Sequence, residues 1–192
     1  MTSAATLATN PDRILAVAME AARKGGAELR DVLDALPAPI YTTDADGWVT
    51  FFNHACIDFA GRTPALGEDR WCVTWKLYSE AGVPLAHEDC PMAVAIREKR
   101  EIRGAVAVAE RPDGTRVLFT PYPTPLFDEQ GAIVGAVNML IDVTDRRQAE
   151  ALKAQALRCR RLSQSISDRR ASETLRLMAV EYDAKARSLQ AN

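Results

Sequence analysis

The chain has 192 residues, 47% hydrophobic and 26% charged, with a formal net charge of −2. That balance excludes wholesale disorder, and no apolar run reaches the roughly 18 to 20 residues that a membrane-spanning helix needs. Met1 to Asn10 lacks the basic start and apolar centre of a secretion signal, so a cytoplasmic protein is expected. Cys56, Cys72, Cys90 and Cys159 are scattered with no CxxC pair, which predicts reduced thiols, no disulfide framework and no cysteine zinc site.

The near-neutral total hides an asymmetry. From Asp145 onward there are 11 basic and 6 acidic residues, a net +5, which leaves −7 on the preceding chain. Two charge regimes suggest two modules. A basic helical tail suits nucleic acid, an acidic partner or the acidic domain beside it, but such charge is more often a solvated face.

In chain order, Asn10-Pro11 reads as a helix N-cap with proline at the first helical position, and Ile14, Leu15, Val17, Ala18, Ala21 and Ala22 supply an apolar side. Gly25-Gly26 interrupts that helix, and a second one carries Leu29, Val32, Leu33 and Leu36 until Pro37 stops it. Ile40 to Asp44 and Trp48 to Phe52 flank Asp46-Gly47 and predict a β-hairpin. A short helical stretch follows from His54 to Gly61, then an irregular region from Arg62 to His87, then a helix from about Cys90-Pro91 to Lys99. Three further strands are expected at Ile102 to Glu110, Thr115 to Pro123 and Ile133 to Val143. Pro121, Pro123 and Pro125 should make the end of the middle one irregular. Five strands with helices between the second and third make an α+β fold: a predominantly antiparallel sheet with helices on one face.

Beyond the last strand, Leu152, Cys159, Leu162 and Ile166, with Ala156 beside them, share one helical seam. Ser165 to Asp168 interrupts it. Ala171, Leu175, Met178, Tyr182, Ala186 and Leu189 then form a second seam. Two amphipathic helices of roughly 20 residues each would be marginal alone, so they should pack on each other, on a second chain or on the sheet.

The order of elements and the local text resemble a PAS domain, a sensor fold common in bacterial signalling. The matching residues are Leu36-Pro37-Ala38-Pro39-Ile40, Thr43-Asp44-Ala45-Asp46-Gly47, Phe51-Phe52-Asn53, Arg111-Pro112-Asp113-Gly114-Thr115, Gly131-Ala132-Ile133-Val134-Gly135 and Asp142-Val143-Thr144-Asp145-Arg146. The resemblance implies a five-stranded antiparallel sheet enclosing a cavity between sheet and helices. It divides the chain into an N-terminal helical segment at 1–32, a PAS domain at 33–144 and C-terminal helices at 145–192. It also implies that Asp142, Thr144 and Arg146 form a junction passing a change in the sheet to a coupling helix. Independently of that role, Asp142 and Thr144 suit the capping of a helix, and Arg146 offers Asp142 a charged partner.

Only His54 and His87 are present, and no histidine follows His87, so the chain lacks the phosphoacceptor of a histidine kinase. It also lacks a P-loop, a GxSxG elbow and metalloprotease spacing, and no enzymatic activity is expected. His87-Glu88-Asp89-Cys90-Pro91-Met92 gathers possible haem ligands, with His87 and Cys90 foremost, although a helix start at Cys90-Pro91 with Met92 in the core explains the same text. Light-sensing PAS domains carry a motif like Gly-Arg-Asn-Cys-Arg-Phe-Leu-Gln. Here Gly67-Glu68-Asp69-Arg70-Trp71-Cys72-Val73 puts Arg70 at the expected cysteine position, so flavin adduct chemistry is not expected.

A ligand pocket lined by Tyr41, Val49, Phe51, Phe59, Trp71, Val117, Phe119, Val137 and Met139 follows if strand residues two apart share a face. The reading is a non-enzymatic sensor or adaptor whose C-terminal helices make a homodimer or hold a partner signalling protein. The alternatives are a haem-dependent gas or redox sensor and a nucleic-acid-associated regulator. No helix-turn-helix signature supports the latter, and Glu173, Glu181 and Asp183 interrupt its basic face.

Overall fold

The computed structural model describes residues 11–24 and 27–190. The expected cap at Asn10 and the break at Gly25-Gly26 lie outside the described residues. By contact density the chain divides into two compact units, Met1–Asp142 and Val143–Asn192.

The first unit begins with α1 (Pro11–Lys24), which has proline at its first position, and α2 (Ala27–Asp34). The strands are β1 (Ile40–Asp44), β2 (Val49–Phe52), β3 (Lys76–Ser79), β4 (Pro84–Leu85), β5 (Ala107–Glu110), β6 (Arg116–Pro121), β7 (Thr124–Phe127) and β8 (Ile133–Asp142). Between them lie α3 (His54–Ala60), a 3-10 turn at His87–Asp89 and α4 (Pro91–Glu98). All pairings are antiparallel, in the order β2-β1-β8-β6-β5-β3-β4, with β7 also on β8.

The five expected strands are present, and β3, β4 and β7 join them. The region from Arg62 to His87 is therefore less irregular than its sequence suggests: Leu77 is buried and β3 pairs with β5 along Lys76 to Ser79. Two boundaries also move. Residues 102–106 stay outside β5, where Gly104 takes a φ of 74° and Arg103 donates to the Pro123 carbonyl at 3.1 Å and to Thr124 Oγ1 at 3.0 Å. The prolines interrupt the middle strand as expected: β6 stops at Pro121, and β7 resumes pairing with the first half of β8 at Thr124.

The sheet has two covered faces. Tyr41, Val49, Leu77, Ala107, Ala109, Val117, Phe119, Ala136 and Leu140 form one core with Cys56 and Phe59 of α3 and Met92, Ala93 and Ile96 of α4. Phe59 and Phe119 meet edge to face at 5.2 Å, a geometry that adds about 0.5–1.5 kcal/mol to their area burial. Ile40, Phe51, Val137 and Met139 form a second core with Ile14, Leu15 and Ala18 of α1 and Leu33 of α2. Buried Asn53 ties this corner together. Its side chain donates to the carbonyls of Leu33 at 3.0 Å and Ala38 at 2.8 Å, and accepts from the Ile40 N–H at 2.9 Å.

The second unit is an antiparallel hairpin of α5 (Thr144–Ser165) and α6 (Arg169–Gln190). Ala149, Ala156 and Ser163 on α5, and Ala179 and Ala186 on α6, are buried at seven-residue spacing. Small side chains at that repeat let the helices approach closely, with Cys159, Leu175 and Tyr182 filling the seam. An Arg160–Asp183 ion pair and a Lys153–Gln190 hydrogen bond at 2.8 Å flank it. Of the expected seam residues, Leu162, Ile166 and Met178 are instead exposed at 42%, 39% and 37%. Alanine and serine take the close positions because larger side chains would force the helices apart.

Candidate functional site

The face of the sheet under α3 and α4 carries a buried polar line. The Tyr41 hydroxyl donates to the Trp71 carbonyl at 3.0 Å and accepts from Asn138 Nδ2 at 3.0 Å. Asn138 Oδ1 accepts the Tyr122 N–H at 2.9 Å, at the step between β6 and β7. Burial is the main cause that holds the Tyr41 phenol neutral, with its pKa well above the ordinary tyrosine value; the neighbouring Cys72 and Cys90 thiols reinforce the shift. Thr43 Oγ1, on β1 nearby in sequence, is buried with no hydrogen-bond partner among the described residues.

Trp71 joins this interior to the surface. Its backbone is left-handed, with a φ of 68°, and its N–H donates to the Gly47 carbonyl at 2.7 Å. A side chain at Gly47, itself at a φ of 87°, would strike the Trp71 ring at 2.1 Å, so the Asp46-Gly47 turn and Trp71 require each other. Outside, the Arg70 guanidinium lies 5.2 Å from the Trp48 ring and 4.8 Å from the Trp71 ring, and Arg70 Nε donates to the Asp46 carbonyl at 2.7 Å.

Cys72, Thr74, His87 and Cys90 lie beside the same line. Thr74 Oγ1 donates to Cys72 Sγ at 3.1 Å and is 3.5 Å from His87 Nε2. Cys90 Sγ approaches the Trp71 carbonyl at 3.8 Å. His87 is half-buried, and burial, with help from the Arg62 cation, lowers its pKa. Burial pushes the Cys90 thiol up to about 12. The Arg70 guanidinium is committed to two indoles, and the Cys72 sulfur accepts the Thr74 hydroxyl.

The proposed pocket residues divide between the two faces. Tyr41, Val49, Phe59, Val117 and Phe119 share the α3/α4 core, with Trp71 packed against it, whereas Phe51, Val137 and Met139 belong to the core under α1. The cause on β2 is a register shift: Thr42 pairs with Phe51 but Thr43 pairs with Val49, so residues two apart point to opposite faces. On β8, odd-numbered Val137 and Met139 face α1, while Ala136 and Leu140 face α3 and α4. At the junction, Asp142 closes β8, Val143 is the N-cap and Thr144 opens α5. Arg146 Nε donates to Glu150 Oε1 at 3.1 Å, one turn along the same helix.

Asn138 and Thr74 were not marked by motif spacing. A lone amide inside the apolar run Ile133 to Ile141 was the available signal, since a buried polar side chain needs partners.

An antiparallel sheet with α3 and α4 on one face, α1 and α2 on the other, and a buried polar line beneath α3 and α4 defines an α+β domain. Residues 33–148 match the family model of the PAS fold, and the chain belongs to that family. No curated protein matches the chain. Among solved structures, a Rhodobacter sphaeroides LOV protein is 16% identical, with 85% of this chain and 94% of that chain covered and a TM-score of 0.45. The PAS domain of the fruit-fly ELK potassium channel is 13% identical, with 56% of this chain and 87% of that one covered and a TM-score of 0.42. Nothing of those proteins' ligands or partners transfers to this chain at such identities. No helix among the described residues is long and apolar enough to cross a membrane.

Proposed function

We propose that the chain is a non-enzymatic sensor or adaptor module of bacterial signal transduction that relays ligand or partner state through its last strand into the C-terminal helices, which bind another chain. The Trp71–Tyr41–Asn138 line supports this reading. It links the helix-covered interior to β8, and β8 continues after Asp142 into α5. A small molecule on the α3/α4 side would meet Tyr41, Val49, Phe59, Trp71, Val117 and Phe119, and the unpartnered Thr43 hydroxyl offers it a polar contact. Asp142, Thr144 and Arg146 are the junction through which the strand's state reaches the helices.

Tyr41→Phe removes one hydroxyl from the line while keeping the ring. In hydrogen-exchange mass spectrometry of the full chain, exchange should increase in β8 and also in the first two turns of α5. A loosened β8 with α5 unchanged would sink the relay.

A further inference from the structure

The function proposed above leaves the basic character of the helical hairpin unused. At its turn, α5 and α6 enclose an open cleft of about 560 Å³ lined by Gln164, Ser167, Arg169, Glu173 and Arg176, among others. Arg169 and Arg176 lie seven residues apart on α6, two turns along one helix face and about 10.5 Å by helical rise. Both side chains are exposed, and among the described residues neither guanidinium has a hydrogen-bond, ion-pair or ring partner. Glu173 stands between them in sequence without pairing to either.

The rest of the turn is already satisfied. Asp168 Oδ1 accepts the Ala171 N–H at 3.0 Å, Ser172 Oγ donates to the Ser163 carbonyl at 2.8 Å, and Ser163 Oγ donates to the Arg160 carbonyl at 2.8 Å. The cleft is therefore held in shape by bonds that use neither arginine. Among the described residues, its free hydrogen-bonding groups are the two guanidinium forks, the Gln164 amide and the Ser167 hydroxyl, with one carboxylate opposing them.

We propose that this cleft binds a phosphate group, as inorganic phosphate or a small phosphate monoester, between Arg169 and Arg176. Guanidinium forks match phosphate oxygens in bidentate geometry, and an amide and a hydroxyl complete a shell of donors. Glu173 weakens the site and biases its selectivity: with two guanidinium cations against one carboxylate, a dianionic phosphate is held more strongly than a monoanion.

Isothermal titration calorimetry on the full chain tests this, with inorganic phosphate, glycerol 3-phosphate and sodium chloride at matched ionic strength. Both phosphates should bind with one site per chain, with chloride silent; a tighter ester shows that the cleft also contacts its alcohol portion. Arg169→Ala with Arg176→Ala should weaken binding by about tenfold or more, and Glu173→Gln should tighten it severalfold. Replacing both arginines by lysine, which keeps charge and helix propensity, should also weaken binding because the fork is lost. Arg158→Ala, at another exposed arginine, on α5 and outside the cleft lining, should leave it unchanged, and far-UV circular dichroism should show every variant folded. No phosphate heat beyond that of chloride, or an Arg158→Ala loss equal to that of the double variant, would overturn the proposal.

Discussion

His87 shows how one side chain's surroundings set a pH dependence. It lies in the 3-10 turn before α4, near Arg62, Asp69 and Glu88. Burial and the Arg62 cation outweigh the two carboxylates, so its folded pKa falls below the ordinary value of about 6.5. The folded state therefore binds fewer protons than the unfolded chain within that window, and stability must rise with pH across it. His87's contribution is fully present above about pH 6.5 and is lost as pH falls through the lowered folded value. Thermal unfolding followed between about pH 7.5 and pH 5 should show the midpoint falling on acidification, more steeply in the parent than in His87→Gln. Equal slopes in the two proteins would remove His87 from the pH response.

At the scale of elements, the pairing of β1 with β8 depends on the absence of a side chain at Gly135. Its φ is 156°, and a Cβ there would stand 2.1 Å from the Thr43 carbonyl oxygen, the backbone of the neighbouring strand. Gly135→Ala should destabilise the protein by more than about 2 kcal/mol in urea unfolding. Gly131→Ala, in a turn with a φ of 79° but nothing within 4 Å, should cost only the backbone strain of roughly 1 kcal/mol. Equal losses would show that the strands separate freely around Gly135. The strand itself was legible, because Ile133 to Val143 is a long β-branched and apolar run, and so were the Asp46-Gly47 hairpin and the proline break after Pro121. The pocket's division was not: alternation assumes an unbroken register, and the shift between Thr42 and Thr43 leaves no mark in residue type. Likewise β3 is short and depends on pairing with distant β5, information that a local window does not contain, and two-residue β4 pairs with β3 alone. The helical pair was legible in length and position, but its close seam was not, since alanine at seven-residue spacing reads as filler beside leucine and isoleucine.

For the whole molecule, that seam decides which residues remain for another chain. Because Ala149, Ala156, Ala179 and Ala186 close the hairpin on itself, several large apolar side chains face outward: Leu157 is 48%, Leu177 63% and Val180 61% exposed. Leu177 and Val180 are three residues apart and so share a face of α6, where burial against a second helix would contribute up to about 1.5–3 kcal/mol per side chain. Those contacts lie outside the intramolecular seam, so the hairpin need not open for a second copy to bind. The full chain should sediment as a dimer at tens of micromolar. Leu177→Ser together with Val180→Ser should weaken that dimer by at least about a hundredfold, since each substitution acts once in both chains. The hairpin's helical signal should persist in circular dichroism, because neither residue fills its seam. A parent protein that stays monomeric at that concentration would end the homodimer reading, and helices that melt with the double substitution would place both residues inside the hairpin's own packing.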